Sequence, residues 1–245
     1  MTTFKMTIAY DGTKYQGWQR LGNTDMTIQG KIEAVLSRIY TRPILIDGSG
    51  RTDAGVHAKG QIASVELPKN RIDPKSLGEI NHYLPEDIQI MSMVKADDRF
   101  HARFNAKQKI YRYRISVSPS GNVFERKEMI RIEEPLNLEA MRSAASYLIG
   151  EHDFQSFTAM KSKTKSTVRT IESITVTALS DEIQIDFLGN GFLRQQVRLM
   201  MGLLIQVAQG VVKPKAVKEI LDEKSRANTR AVAPAKGLCL ERVIY

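Results

Sequence analysis

The stretch GSGRTDAGVHAKGQ, residues 48 to 61, holds four glycines, a histidine and one carboxylate, Asp53, between the cations Arg51 and Lys59. Asp and Gly are the commonest turn residues for conformational reasons alone, so the spacing by itself favours a structural turn. A functional loop needs three features together: a carboxylate kept ionised by a nearby cation, a pliable backbone, and a ring that holds a substrate. The chain contains all three, and the rest of the sequence has to decide between the two interpretations.

Length and composition limit the classes to which the protein can belong. A chain of 245 residues can bury one large core or two smaller ones, and 42% apolar with 26% charged residues is ordinary for a globular protein. No apolar run reaches the length of a bilayer span, and the N-terminus alternates apolar with polar residues, unlike a signal peptide. One cysteine, Cys239, cannot form an internal disulfide. We expect a cytoplasmic protein without a membrane segment.

The charge indicates a polyanionic partner. The net charge is +9, although such an excess often serves only solubility. Two segments, residues 107–114 (KQKIYRYR) and 161–169 (KSKTKSTVR), each hold four cations and no acid. The first interleaves cations with two tyrosines, which suits a nucleic-acid surface and a solvated strand face about equally. The second segment is more typical of a solvated face or a loop.

Hydrophobic periodicity predicts strands and helices in both halves of the chain. Strands are predicted at residues 4–10, 62–65, 88–94, 109–117, 170–178, 182–188 and 238–245, and helices at 28–39 (capped by Thr27), 74–83, 138–148, 193–207 and 214–223. A turn is predicted at 118–121. No repeat or long linker separates the halves, so we expect two packed α+β halves with a site between them.

The sequence does not match the motifs of several common binding sites. Gly50 and Gly55 have the outer spacing of a phosphate-binding loop, but Val56 and His57 follow where a Lys and a Ser or Thr are needed. The GxG at Gly48 lacks the third glycine of a dinucleotide site. The four histidines show no zinc-ligand spacing and favour structural roles. An NTPase, a nucleotide cofactor and a zinc site are therefore disfavoured.

The loop and many further segments resemble the tRNA pseudouridine synthase A family along nearly the whole chain. GRTDAGVHA is similar to the catalytic signature of that family, and the other matching segments follow in the order and spacing of the family. They are AYDGTKYQGWQR, TIQG, NHYLPEDI, DDRFHARFNAKQKIYRYRI, GEHDFQSF, GNGFLRQQVR and APAKGLCLERV.

The resemblance implies a role for each of five residues. Asp53 would be the essential carboxylate that isomerises uridine to pseudouridine, either by adding to C1′ or by removing a sugar proton. Tyr111 would stack on the uracil, and Arg198 would pair with Asp53. Leu238 would form an apolar wall beneath the base, and Arg51 would grip the RNA backbone or fill the space of a flipped nucleotide. No cofactor or metal is implied.

The resemblance also implies an architecture and partners. The fold would be α+β, with two α/β subdomains whose antiparallel sheets join into one larger sheet and with the active-site cleft between them. Residues 1–105 would carry the Asp53 loop, and residues 106–245 the stacking tyrosine and the pairing arginine. A homodimer would bind the anticodon arm of tRNA in a basic cleft and modify uridines at positions 38–40.

Two departures from the family pattern bear on substrate preference. Gln196 stands where methionine is usual, and Leu21 where a glutamine is usual. The alternatives are the same isomerisation on another structured RNA such as rRNA, a non-catalytic RNA-binding protein, and a glycoside hydrolase that uses Asp47 and Asp53 as its acid pair.

Overall fold

The computed structural model describes residues 1–68, 75–118, 121, 123–159 and 166–245. These residues form two compact units, one of Met1–Lys107 with Leu240–Tyr245 and the other of Gln108–Cys239. The predicted subdomains met at 105/106, and the second ran to the C-terminus. The structure differs mainly at the C-terminus, where residues 240–245 group with the first unit.

The first unit contains a mostly antiparallel sheet and two helices. Its elements are β1 (Thr2–Tyr10), α1 (Ile28–Ile39), β2 (Ile46–Gly48), β3 (His57–Leu67), α2 (Lys75–Tyr83), β4 (Ile88–Lys95) and the last strand of the chain, β10 (Leu238–Ile244). The strand order is β4-β1-β3-β10, and β2 pairs with β3. Residues 238 and 239 of β10 belong to the second unit.

Local sequence accounts for the first elements of this unit. Alternate residues of β1 from Phe4 to Tyr10 are buried, as a strand with one covered face requires. The Thr27 side chain accepts a hydrogen bond from the backbone N of Gly30 at 3.3 Å and caps α1. The predicted strand at 4–10 and helix at 28–39 are confirmed.

The second unit combines further, mostly antiparallel strands with three helices. Its elements are β5 (Gln108–Ser116), β6 (Ile130–Arg131), α3 (Leu138–Ser146), β7 (Gly150–Asp153), β8 (Val168–Ala178), β9 (Glu182–Gly189), α4 (Gln196–Ala208) and α5 (Ala216–Asp222). The strand order is β5-β9-β8-β7, with β6 paired in parallel to β5. Both units mix helices with mostly antiparallel strands, so the α+β class is confirmed.

The structure corrects several boundaries. The helix predicted from residue 193 begins at Gln196, because Gln195 has a left-handed φ of 61° and the Gln196 side chain accepts a hydrogen bond from the Leu193 backbone N. Sequence patterns do not predict β2, β6 and β7, because strands of two to four residues have too few positions to show a period.

Some predictions fall on residues outside the described part of the chain. They are residue 74 of the predicted helix 74–83, residues 119 and 120 of the predicted turn, and residues 161–165 of the basic segment 161–169. Within the described ranges, no helix has the length and apolar character needed to cross a membrane.

Candidate active site

The Asp53 loop connects β2 to β3, and both ends of the loop are anchored. The backbone N of Ser49 donates to Ile62 O at 2.7 Å, and the Ser49 hydroxyl lies 2.7 Å from Gln61 Oε1. Gln61, which is fully buried, also donates from Nε2 to Gly50 O at 3.0 Å. A buried amide therefore holds the entry of the loop against the strand that follows it.

The segment from Tyr10 to Trp18 holds the middle of the loop. The Trp18 backbone N donates to Thr52 O at 3.1 Å, and the Tyr10 and Thr52 hydroxyls lie 2.8 Å apart. On the other side of Asp53, the Gly55 backbone N donates to Tyr15 O at 3.2 Å. Asp53 is half-buried, and backbone hydrogen bonds fix the chain immediately before and after it.

Two glycines allow this close approach. Gly17 has a φ of 95°, and a Cβ there would lie 2.6 Å from Thr52 O. At Gly12 a Cβ would lie only 2.0 Å from Val56 O. Any larger residue at either position would push the loop away, so the glycines of AYDGTKYQGW serve the position of Asp53.

His57 ends the loop and is 5% exposed. Its Nδ1 accepts a hydrogen bond from the Gly12 backbone N at 3.1 Å and lies 3.2 Å from Asp11 Oδ1. His57 thus ties the Gly12 turn to the start of β3, which fits the structural role expected for the histidines.

Arg51 lies on the same loop as Asp53, two residues earlier, and is exposed. Its Nε donates to Gln19 Oε1 at 2.8 Å. The structure thus brings the two predicted site residues of the first unit together on one anchored loop.

Tyr111 lies on β5 opposite Phe187 of β9 and is 7% exposed. The Phe192 ring packs edge-on against it, with a centroid distance of 5.3 Å and an interplanar angle of 88°. This perpendicular arrangement is one of the favoured aromatic geometries and stabilises the orientation of the Tyr111 ring.

Arg198 and Leu238 are connected through the segment that precedes β10. Arg198 of α4 donates from Nε to Ala233 O at 2.9 Å, and its own carbonyl accepts from the Ala233 N at 3.0 Å. The Tyr113 hydroxyl donates to Pro234 O at 2.8 Å, which places this segment against β5 as well. Leu238 follows four residues later and is 5% exposed.

Tyr113 lies two residues after Tyr111 and is fully buried. Burial raises the pKa of its hydroxyl above the ordinary value, and the positive charge of Arg198 partly opposes that shift. The phenol therefore stays protonated and able to donate to Pro234 O.

The arginines of KQKIYRYR are matched by carboxylates of the same unit. Arg112 binds Asp186 with two hydrogen bonds, Nε to Oδ1 at 2.7 Å and Nη2 to Oδ2 at 2.8 Å. Arg114 donates from Nε to Glu182 Oε1 at 2.9 Å and lies 2.8 Å from Glu125 Oε1. These two charges stabilise the β5–β9 pair, so the structure favours a structural role for them over an RNA surface.

The structure therefore groups the predicted residues in two sets. Asp53 and Arg51 belong to the first unit, whereas Tyr111, Arg198 and Leu238 belong to the second. The pairing of Asp53 with Arg198 stays a prediction. Within the described ranges, no group of three or more His, Cys, Asp or Glu side chains is arranged to hold a metal ion.

Several residues that support the predicted site could not be selected from the sequence. Tyr10, Gln19 and Phe192 all lie in segments that carried the family resemblance, and that was the one signal available for them. Their contacts join residues that are far apart in the chain, such as Gln19 with Arg51, and periodicity does not reveal such pairs.

Comparisons with known proteins bear on identity. A sequence model of the family described as tRNA pseudouridine synthase matches residues 6–105 and 144–245. A protein named tRNA pseudouridine synthase A 2 from Bacillus cereus (strain ZK / E33L) is 44% identical over 245 residues, and all of both chains is covered. Proteins named tRNA pseudouridine synthase A from Bacillus sp. (strain KSM-64) and tRNA pseudouridine synthase A 1 from Clostridium tetani are 46% and 43% identical over the same full lengths.

The match of the family model includes the Asp53 loop and the stretch from α4 to β10, whereas β5 with Tyr111 lies between its two matched ranges. The full-length relatives cover every predicted site residue. The chain therefore belongs to the tRNA pseudouridine synthase family, a family of pseudouridine-forming isomerases.

Proposed function

We propose that this protein isomerises uridine to pseudouridine at positions 38–40 in the anticodon stem-loop of tRNAs. The observation that carries the proposal is the anchored Asp53 loop, in which a half-buried carboxylate is held from both sides by backbone hydrogen bonds. Full-length relatives whose names specify tRNA support the substrate class, and the net charge of +9 suits a polyanion.

The reaction conserves atoms and needs no external reactant. The bond between C1′ and N1 breaks, the uracil turns, C5 bonds to C1′, and the C5 proton moves to solvent while N1 gains one. Asp53 either adds to C1′ as a nucleophile or removes a sugar proton, and an ionised carboxylate is suited to both.

The other predicted residues act on the bound base. In this proposal Tyr111 stacks on the uracil and retains it during rotation, and the perpendicular Phe192 ring supports that role by fixing the tyrosine. Arg198 pairs with Asp53 and keeps it ionised, with its guanidinium oriented by the bond to Ala233 O. Leu238 forms the apolar wall beneath the base.

The proposal includes the location and the assembly. The protein acts in the cytoplasm as a homodimer, and the anticodon arm of tRNA lies in a basic cleft that both subunits help to form. The names of full-length relatives, which specify tRNA, support tRNA as the partner.

Mapping of pseudouridine in a strain that lacks the gene tests the substrate. Pseudouridine at tRNA positions 38–40 should disappear, rRNA pseudouridine should be unchanged, and the wild-type gene should restore the lost sites. Loss confined to rRNA would support the same chemistry on a different RNA. An unchanged map in both RNAs would contradict an enzymatic role and leave RNA binding alone.

A further inference from the structure

A continuous chain of side-chain hydrogen bonds leads from a buried carboxylate to Arg51. The carboxylate is Glu33 of α1, which is 4% exposed. Its Oε1 accepts from the Ile46 backbone N at 3.1 Å and from Gln29 Nε2 at 3.0 Å, and its Oε2 lies 2.9 Å from Nη1 of Arg20. These partners hold the Glu33 carboxylate in place, so it is the fixed end of the chain of hydrogen bonds.

Backbone groups determine the orientation of the next side chain, Gln29. Its Nε2 donates to Ile46 O as well as to Glu33, at 3.0 Å in both cases. Its Oε1 accepts from the Arg20 backbone N at 2.9 Å. A carbonyl can only accept and a backbone N–H can only donate, so the amide of Gln29 cannot be reversed without loss of both bonds.

Gln19 takes its orientation from Gln29. Its Nε2 donates to Gln29 Oε1 at 2.7 Å, which turns its own Oε1 toward Arg51. That oxygen accepts from Arg51 Nε at 2.8 Å. The order of donors and acceptors thus runs without interruption from Glu33 through the two amides to the guanidinium.

The bond at Nε restricts what Arg51 can offer to a ligand. Arg51 is exposed, and the planar guanidinium has five N–H donors, of which the one on Nε is directed to Gln19. Because Nε is already bonded to Gln19, the two terminal nitrogens remain for a ligand, and their N–H groups form a fork. Such a fork matches the two oxygens of a phosphate in a bidentate contact.

We propose that Gln19, locked by Gln29 and Glu33, is a positioning residue that presents the terminal nitrogens of Arg51 to a phosphate of the bound RNA, two residues before Asp53. This inference rests on the proposed function, since it assumes that RNA is the ligand. It assigns Arg51 to the RNA backbone and not to the space of a flipped base. Gln19 itself does not contact the RNA.

A double-mutant cycle on tRNA binding tests the inference. The probe is an unmodified tRNA transcript with uridine at position 39, and every variant carries Asp53→Asn so that the RNA is not altered during the measurement. Gln19→Met removes both hydrogen bonds at nearly constant volume, and Gln19→Ala removes them by truncation. Gln89→Met, at an exposed glutamine of β4, is the matched control. Thermal unfolding of each variant defines a temperature at which all are folded.

We expect Gln19→Met to weaken binding about fivefold when Arg51 is present and less than about twofold in the Arg51→Ala background. Arg51→Ala should reduce the magnitude of the slope of log affinity against log salt by about 0.7–0.9, the value for one phosphate contact. Equal losses from Gln19→Met in both backgrounds, or an unchanged slope in Arg51→Ala, would overturn the inference. Failure of wild-type protein to form pseudouridine in the same transcript is a separate result and concerns the proposed function alone.

Discussion

The hydroxyl pair of Tyr10 and Thr52 supports the loop next to Asp53, at 2.8 Å with both residues buried. We predict that Tyr10→Phe lowers the free energy of unfolding by about 1 kcal/mol because one buried hydrogen bond is lost. Turnover should also fall, by about fivefold, since Thr52 no longer fixes the loop beside the carboxylate. Urea unfolding and single-turnover assays measure the two effects.

The matched control at this scale is Tyr245→Phe. It removes the hydrogen bond from the Tyr245 hydroxyl to Ala102 O, which is 2.6 Å long and does not involve the Asp53 loop. A similar loss of stability with unchanged turnover is expected. If both variants reduce turnover equally, Tyr10 has no particular role in positioning the loop.

The role of a single residue can be predicted from sequence when its residue type is unusual for its surroundings. The prediction is poor when the role depends on the contact partner. Asp53 is the one acid of its stretch, so it could be selected before any contact was known. Arg112 and Arg114 fit either an RNA surface or a strand face, because their partners Asp186 and Glu182 lie about seventy positions further along the chain. Such pairs become visible only in the register of the sheet.

At the scale of elements, the closest approach beside the loop is between the turn at Gly12 and Val56, the residue before β3. We predict that Gly12→Ala lowers the free energy of unfolding by about 3 kcal/mol, because the new Cβ would lie 2.0 Å from Val56 O. Gly22→Ala is the control, since no atom lies within 4 Å of a Cβ built there. Equal urea midpoints for the two variants would contradict this close approach of Gly12 to Val56.

The β5–β9 pair gives a prediction about acid stability. The hydrogen bond from Arg114 lowers the pKa of Glu182 below its ordinary value of 4.5. Below about pH 4.5 the unfolded chain therefore binds more protons at this site than the native protein, and the free energy of unfolding falls as the pH falls through the native pKa.

Glu182→Gln should accordingly lower stability at pH 7 and make it less dependent on pH between about 5 and 3. Urea unfolding across that range measures the change. Glu86→Gln, at an exposed position, is the control. An unaltered pH dependence in Glu182→Gln would show that this ion pair does not contribute to acid sensitivity.

Long periodic elements could be predicted from the sequence, and short ones could not. α1 has the predicted ends, because a capping threonine begins it and three fully buried residues at helical spacing mark its face. The predicted start of α4 is three residues early, because Leu193 has the helical period but lies before the left-handed Gln195. Local patterns thus identify a helix more reliably than they locate its first residue.

At the scale of the whole molecule, the sequence predicts two α+β parts, and the structure describes two units. The return of residues 240–245 to the first unit could not be read from local patterns, since it depends on β10 lying beside β3. The close approach at Gly60 belongs to this arrangement, because a Cβ there would lie 2.4 Å from Glu241 O. Pairing between strands that are far apart in the chain is a property of topology, which periodicity does not encode.

The central claim is that Asp53 is the reacting group of a pseudouridine synthase. Its most direct test is the single-turnover rate of tritium release from a tRNA transcript labelled at C5 of uridine, with Asp53→Asn compared with wild type and with Asp181→Asn, an exposed acid that carries the same change in charge. We predict that Asp53→Asn lowers the rate by about 10³-fold or more while folding and tRNA affinity are retained, and that Asp181→Asn keeps the wild-type rate. A near-normal rate in folded Asp53→Asn would contradict the account.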